Sequence, residues 1–250
     1  MLVLKNIKKS FPQAANPVLK DVNLNIDKGE YCVIIGSNGS GKSTLLKIIS
    51  GEYKVDTGQV LLDGINITRQ PIYHRAKYIS SVAQDITKGT IQEMTLLENI
   101  SLSCIRGKKA AYKFYKTHTQ EIINNVKLLG LGLEKFLHNN MSALSGGQRQ
   151  SIAALMAMLP EPSILLLDEH TSALDPRSRQ KIMYFTDEYI KKHRLTTLMI
   201  THNIEDAAKY GSRLIIMHHG EIACDIKGQE KVNISSQKIL DILHEIGGPL

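Results

Sequence analysis

The chain has 250 residues, of which 42% are hydrophobic and 22% charged, and its formal net charge at pH 7 is +7. This composition is ordinary for a globular protein and argues against an intrinsically disordered chain. No apolar run is long enough to span a bilayer, and the N-terminus lacks the layout of a signal peptide, so we expect a cytoplasmic chain.

The positive charge alone does not choose between nucleotide, nucleic acid and an anionic membrane surface as the partner. An aromatic content of 5% without a stacking motif argues against nucleic acid. The three cysteines are far apart and odd in number, which argues against a disulfide framework and predicts small buried side chains.

The first part of the chain alternates apolar and polar residues, a pattern typical of strands. The pair Asp63-Gly64 favours a tight hairpin turn at the end of one of them. We expect strands over residues 2–7, 22–26, 31–35, 59–62 and 78–82.

A stretch rich in glycine and hydroxyl residues lies between the strand at 31–35 and a helix predicted from residue 45. It fits the phosphate-binding pattern G-x-x-x-x-G-K-[ST] without a departure. The glycines let successive backbone N–H groups point at phosphate oxygens, and the helix N-terminus adds partial positive charge. We therefore expect a nucleoside triphosphate here, with Lys42 on the β- and γ-phosphates and the Ser43 hydroxyl on Mg²⁺. The residues of this phosphate loop are Gly36, Ser37, Asn38, Gly39, Ser40, Gly41, Lys42, Ser43 and Thr44.

From about residue 87 the pattern changes from strand to helix. Thr95 and Glu98 have capping-box spacing, and residues 120–129 carry apolar side chains at helical spacing. Between them lies a basic run, which we expect to be solvated unless it contacts lipid headgroups or an acidic surface of a partner. Its basic residues are Arg106, Lys108, Lys109, Lys113 and Lys116.

Strands and helices alternate in the second half of the chain. Residues 164–167 and 196–200 are apolar runs that predict buried strands, Asp175 can cap the helix between them, and residues 235–246 predict a last helix. Buried strands that alternate with helices predict an α/β fold with a parallel sheet covered on both faces. The opening strands add an antiparallel β layer, and a helical lobe is inserted over residues 87–158.

Two adjacent carboxylates follow the strand at 164–167. A carboxylate at a strand end near a phosphate loop, here Asp168, can hold Mg²⁺ directly or through water. Glu169, one residue later, can polarise an attacking water as a general base. Apolar strands often end in an acidic residue without a catalytic role, so the phosphate loop upstream is what favours the catalytic interpretation.

His218 and His219 lie beside Gly220 in a region that predicts a strand hairpin. Neighbouring residues of a strand point to opposite faces, so we expect the two rings to be poor joint metal ligands. A turn is the better interpretation.

Residues 144–148 read Leu-Ser-Gly-Gly-Gln, and Ser145 and Gln148 have the spacing of a second capping box. A helix that begins there exposes its first N–H groups and makes a second anion-binding end. With this pentapeptide the chain resembles the ATP-binding cassette (ABC) ATPases, whose signature sequence it is. The resemblance extends over nearly the whole chain. It includes Gln84 at the Q-loop position, residues 172–175 at the D-loop, His202 at the switch position and Phe11 at the position of the adenine-stacking aromatic.

The resemblance implies a P-loop NTPase (RecA-like) core that binds ATP and Mg²⁺ and hydrolyses ATP. It implies that Glu169, His202, Gln84 and Lys42 are catalytic, and that Ser43, Gln84 and Asp168 hold Mg²⁺. The nucleotide would be bound by the phosphate loop, by Phe11 and by the signature residues Ser145, Gly146, Gly147 and Gln148. The role of Gln84 rests on the resemblance alone, and Phe11 could also be a core residue.

The resemblance also implies a single cassette domain with three parts. Residues 1–86 and 159–226 would form the RecA-like core with its antiparallel layer, residues 87–158 the helical subdomain, and residues 227–250 a C-terminal helical tail. In this family two cassettes pack head to tail, so we expect a homodimer that ATP closes. Further expected partners are transmembrane permease subunits and an extracytoplasmic substrate-binding protein, with the chain at the inner face of the cell membrane and no nucleic acid bound.

One residue departs from the usual pattern. Most cassettes carry a proline after the Asp-Glu pair, whereas this chain has His170. The histidine, together with residues 88–90 and 195–199, resembles a branch of bacterial importer ATPases whose proposed substrates are aromatic amino acids. A proline would stiffen the turn that aims Glu169, so we expect His170 to be structural rather than catalytic.

A soluble cassette that never meets a permease, such as an iron–sulfur assembly ATPase, shares all the nucleotide motifs and remains an alternative. A DNA-repair cassette is disfavoured because no long coiled-coil insertion separates the two halves. The signature sequence disfavours a generic NTPase such as a kinase.

Overall fold

A computed structural model describes residues 1–13, 15–82, 89–105 and 119–247. The predictions for Gln84, for residue 88 and for the basic residues between 106 and 116 lie outside the described residues. The chain divides into two compact units, one formed by Met1–Arg75 and Arg194–Leu250 and the other by Ala76–His193.

In chain order the elements are β1 (Leu2–Lys9), β2 (Leu19–Ile26), β3 (Tyr31–Gly36), α1 (Lys42–Ser50), β4 (Thr57–Leu62), β5 (Ile65–Asn66), α2 (Ile72–Arg75), β6 (Ile79–Val82), α3 (Leu96–Cys104), α4 (Thr119–Leu128), α5 (Gly146–Met158), β7 (Ile164–Asp168), α6 (Pro176–His193), β8 (Thr197–Ile200), α7 (Ile204–Lys209), β9 (Arg213–His218), β10 (Glu221–Lys227), α8 (Gln229–Val232) and α9 (Ser236–Glu245). Two short 3₁₀ turns, Leu133–Phe136 and Met141–Ala143, lie between α4 and α5.

The first unit opens with an antiparallel sheet in the order β2-β1-β4-β5. In β1 and β2 buried apolar side chains are interspersed with exposed polar ones, which is the pattern of a sheet with one face on the core. Asp63 and Gly64 connect β4 and β5 with φ angles of 48° and 80°. Two consecutive left-handed residues are the geometry of a type I′ hairpin turn, so the predicted turn is confirmed.

A second group of strands in the first unit carries the phosphate loop. β3 pairs in parallel with β8 on one side and with β9 on the other, and β10 pairs antiparallel with β9. Every residue of β3 and β8 is buried, as expected for parallel strands covered on both faces. α1 follows the loop and packs on both strands.

The second unit is built around α5. β6 and β7 pair in parallel, with Ile79 opposite Ile164 and Val82 opposite Leu167. α5 packs on both strands and also contacts α3, α4 and α6. The unit therefore contains the strand that ends in Asp168 and the helix that follows the signature, while the predicted boundaries of a helical subdomain at residues 87 and 158 remain a prediction.

The predicted α/β fold with parallel strands, an antiparallel N-terminal layer and a helical region is confirmed. Across the parts of the chain that are described, no helix combines the length and the apolarity that a bilayer crossing requires. Cys32 is buried as predicted, whereas Cys104 and Cys224 are only half-buried.

Candidate functional site

The backbone of the phosphate loop requires glycine at two positions. Gly36 has φ 145°, and a Cβ placed there would lie 2.0 Å from the Met217 carbonyl oxygen. Gly41 has φ 99°, and its Cβ would lie 2.6 Å from a methyl carbon of Leu19. Both the conformation and the space exclude a side chain, so the tight loop depends on these two glycines.

Lys42 begins α1 and folds back across the loop. Its Nζ atom donates hydrogen bonds to the carbonyl oxygens of Gly36 and Ser37 at 2.7 and 2.8 Å, and its side chain is largely buried. Gly41, which precedes α1, has no side chain that could cap the helix. An ammonium group and the first N–H groups of a helix thus lie at one end of the loop, which is the chemistry that binds phosphate.

The Ser43 hydroxyl lies in the same first turn of α1, and Asp168 ends β7 in the second unit with its side chain nearly buried. These are oxygen donors of the kind that Mg²⁺ prefers. Among the described residues, no cluster of three or more His, Cys, Asp or Glu side chains could hold a metal on its own. Proteins commonly bind Mg²⁺ through one or two carboxylates together with substrate phosphates, and the assignment of Mg²⁺ to Ser43 and Asp168 stays a prediction.

His202 lies two residues after β8 and its side chain is exposed. Because β8 pairs in parallel with β3, their carboxyl ends meet at the same edge of the sheet, as the hydrogen bond from Thr201 N to Ile34 O confirms at 3.3 Å. Asn203 then caps α7 by accepting a hydrogen bond from Asp206 N at 2.8 Å. The structure therefore brings His202 to the edge of the sheet from which the phosphate loop also emerges.

Phe11 is half-buried and is not part of the core. Its ring makes an edge contact with Tyr53 at 5.3 Å between centroids, and the Lys9 ammonium lies 5.2 Å from the ring centre. Lys9 in turn pairs with Asp56 at 2.8 Å, and this bond holds the pKa of the Asp56 carboxyl below its usual range. The core alternative for Phe11 is thus wrong, and adenine stacking stays a prediction.

Glu169 follows β7 with a left-handed backbone, φ 48°. Its carbonyl oxygen accepts a hydrogen bond from Ser172 N at 3.0 Å, which closes a tight turn after the strand. Non-glycine residues adopt this conformation rarely, and they keep it where neighbouring structure holds them.

His170 occupies the centre of that turn and is 1% exposed. Its Nε2 atom lies 3.5 Å from the Thr186 hydroxyl of α6. Burial, with a smaller effect of the positive Arg179, lowers the pKa of the imidazole to about 4. A neutral ring packed inside the second unit supports the hypothesis that His170 is structural.

The signature residues form the start of α5, and the predicted capping box is present. Gln148 N donates to Ser145 Oγ at 3.3 Å, while Ser145 N donates to Gln148 Oε1 at 2.9 Å. A cavity of about 570 Å³ opens beside them. It is lined by Leu131, by Ser145, Gly146, Gly147 and Gln148, and by Ala173, Leu174, Asp175 and Ser178. The second unit therefore brings the signature and the D-loop position together.

Sequence reasoning missed one residue of this region, Gln150. Its amide is 1% exposed, donates to Glu169 O at 3.5 Å and accepts from Ala173 N at 3.0 Å. It connects the signature helix to the turn that carries Glu169. The signal in the sequence was the spacing of Gln150, a polar residue, four positions before Ala154. This spacing places both residues on the same, inward-facing side of the helix.

The prediction that His218 and His219 point to opposite faces is wrong. β9 ends at His218, and His219 has a left-handed φ of 46°, so the alternation of a strand does not continue and the ring centroids lie 4.0 Å apart. The predicted hairpin turn is confirmed. Gly220 N donates to Ser40 O at 3.2 Å, so the turn packs on the phosphate loop.

Comparisons with known proteins agree with this arrangement of motifs. The family described as ABC transporter matches residues 19–172. The tyrosine transport ATP-binding protein of Clostridioides difficile (strain R20291) is 43% identical over 245 residues, which are 96% of this chain and 98% of that protein. The spermidine/putrescine import ATP-binding protein PotA of Aggregatibacter actinomycetemcomitans is 32% identical over 225 residues, which are 90% of this chain and 57% of that longer protein.

Two solved structures extend the similarity to the fold. A bacterial ABC transporter cassette solved as a dimer is 32% identical and has a TM-score of 0.80, with 91% of this chain and 98% of that chain covered. The same cassette, solved as a dimer in a post-hydrolysis state bound to ADP and Pi, is aligned at 33% identity and has a TM-score of 0.77 over the same shares of the two chains.

Proposed function

This chain belongs to the ABC transporter family, whose ATP-binding subunits hydrolyse ATP, and from that membership we propose that it is the ATPase subunit of a bacterial importer for aromatic amino acids. The observation that carries the ATPase part of the proposal is that one chain has two helix starts suited to phosphate, at Lys42 and at Gly146.

The proposed reaction is in-line attack of water on the γ-phosphate of ATP. Glu169 accepts the proton of the attacking water, and His202 donates a hydrogen bond to the γ-phosphate. Lys42 and the first N–H groups of α1 stabilise the charge on the phosphates. Mg²⁺ held by Ser43, Asp168 and Gln84 would neutralise further phosphate charge. Phe11 stacks on the adenine.

We assign the signature of each copy to the nucleotide of a second copy, so that the active form is a homodimer. The dimeric cassette to which this chain is similar, solved in two states, supports that assignment. The signature cavity supports the assignment as well. Ser145 lines this cavity and is exposed, so it can contact a nucleotide that is bound to another copy. ATP binding would then close the dimer, and hydrolysis would reopen it.

The importer assignment draws on the relatives. The protein at 43% identity is named for tyrosine transport, and PotA is named for spermidine/putrescine import. The whole-chain match to the first, together with His170, favours an aromatic amino acid as the imported solute. The remaining parts of the proposal are permease subunits, an extracytoplasmic substrate-binding protein and a position at the inner face of the membrane. Neither of these two relatives favours the alternative of an iron–sulfur assembly ATPase.

The Glu169→Gln variant tests the catalytic assignment. We expect ATP binding to be retained and phosphate release to fall by a factor of about 10² to 10⁴, because the amide cannot accept the proton of the attacking water. The matched control is Glu188→Gln, which changes an exposed carboxylate on α6 of the same unit and should leave turnover unchanged. Turnover of Glu169→Gln at the level of the control would refute the assignment.

A further inference from the structure

We propose that Gln150 is a positioning residue that holds Glu169 in its reactive orientation and joins the signature helix to the turn that carries Glu169. The inference rests on the proposed role of Glu169 as general base. Gln150 itself makes no contact with the reacting atoms.

The contacts of the Gln150 amide span the turn that follows β7. Its Oε1 atom accepts from Ala173 N at 3.0 Å, and its Nε2 atom reaches Glu169 O at 3.5 Å. The side chain is 1% exposed, so water cannot replace these bonds. One amide thus fastens both ends of the segment from Glu169 to Ala173.

The backbone of Glu169 needs such support. Its φ of 48° is a backbone conformation that residues other than glycine adopt at a cost in free energy, and it persists where the surrounding structure fixes it. A proline at the next position would restrict the turn covalently, but this chain has His170 there. In its place the turn is held by the Ser172 N–H, by the packing of His170 against α6, and by Gln150.

The position of Gln150 in the chain also connects this contact to the signature. It lies two residues after Gln148 on α5, whose N-terminus carries the signature capping box. A shift of this rigid helix moves the Gln150 amide, and with it both the carbonyl of Glu169 and the N–H of Ala173 beside the signature cavity. The geometry therefore links the position of the N-terminal end of α5, which carries the signature, to the orientation of Glu169.

A buried amide also contributes to stability, so the test needs a control that separates the two effects. Asn99 on α3 provides it, because it belongs to the same unit, is 1% exposed and fastens another backbone segment. Its amide accepts from Ile91 N at 2.8 Å and donates to Ile91 O at 3.0 Å. Asn99→Leu should therefore destabilise the protein much as Gln150→Met does.

The experiment compares unfolding midpoint, KM for ATP and kcat per folded molecule in Gln150→Met, Asn99→Leu and the unaltered protein. We expect both variants to be less stable. Only Gln150→Met should lose kcat, by about 10- to 100-fold with KM changed less than about twofold, since small misplacement of a reacting group has effects of that size. If Gln150→Met does not fold, Gln150→Asn, which keeps the amide on a shorter stem, carries the same expectation.

Two results separate failure of this inference from failure of the proposed function. If Glu169→Gln shows the expected fall in turnover but Gln150→Met keeps the kcat of the Asn99→Leu control, Gln150 has only a structural role and the inference is wrong. If Glu169→Gln retains turnover, the role of the base is wrong and the inference falls with it. As a positive sign, Gln150→Met should add little further loss in the Glu169→Gln background, because it acts through Glu169.

Discussion

Glu169 and His170 are neighbours in the chain, but their surroundings differ. The imidazole is 1% exposed and packs on Thr186, whereas the turn places Glu169 at a strand end in a left-handed conformation. His170, which departs from the family pattern, is thus the buried residue of the two. This supports a structural His170 beside a catalytic Glu169.

The buried His170 predicts a specific loss of stability in acid. Its folded pKa is about 4, below the ordinary value of 6.5, so between these values the unfolded chain binds a proton that the folded chain does not. Its contribution is complete above pH 6.5 and is lost as the pH falls towards 4, by about 3 kcal/mol. Urea unfolding at several pH values measures this.

The control for that prediction is His170→Gln, which has no group that titrates in the range. The difference in unfolding free energy between the unaltered protein and the variant should shrink or reverse as the pH falls from 6.5 to 4. Parallel pH profiles for the two proteins would contradict a buried neutral histidine.

Single residues also show where sequence reasoning stops. The requirement for glycine at 36 and 41 follows from the loop pattern alone, and the structure gives the same reason in atomic terms. The contacts of Gln150 could not be predicted, because they join α5 to a turn 19 to 23 residues away in the chain. The proximity of His218 and His219 was missed because it depends on one left-handed φ angle.

At the scale of elements, the strongest local signals were the most reliable. Both capping boxes lie where the spacing predicted them, at Thr95 and at Ser145. The apolar runs became buried strands. The two alternating stretches became β1 and β2, which extend beyond the predicted residues 2–7 and 22–26. The short helices α2 and α7 had no distinct pattern and were not predicted.

The two capping boxes offer a matched pair of variants. Thr95→Ala and Ser145→Ala remove hydroxyls with the same role, at 3.2 and 3.3 Å from the capped N–H groups. Each should lower the free energy of unfolding by about 1 kcal/mol. Only Ser145→Ala should also lower turnover, because its hydroxyl is proposed to reach a phosphate of the nucleotide on the other copy.

Steady-state phosphate release and chemical unfolding of both variants measure these effects. Equal turnover in Thr95→Ala and Ser145→Ala would show that the Ser145 hydroxyl serves the helix alone.

For the whole molecule, the central feature is that one chain has two helix starts suited to phosphate. The loop at residues 36–44 lies in the first unit and the signature at 144–148 in the second. The sequence predicted both ends, but the arrangement of two chains around a shared nucleotide depends on contacts outside a single chain. At this scale we therefore make the most demanding claim, namely that a complete site needs two copies.

Mixing two inactive variants tests that claim most directly. Lys42→Ala disables the loop and keeps the signature, while Ser145→Arg blocks the signature and keeps the loop. Half of the randomly mixed dimers then contain one complete site of two, so the equimolar mixture should recover about a quarter of the unaltered turnover, although each variant alone is inactive. A mixture of folded variants that stays as inactive as its components would contradict the shared site.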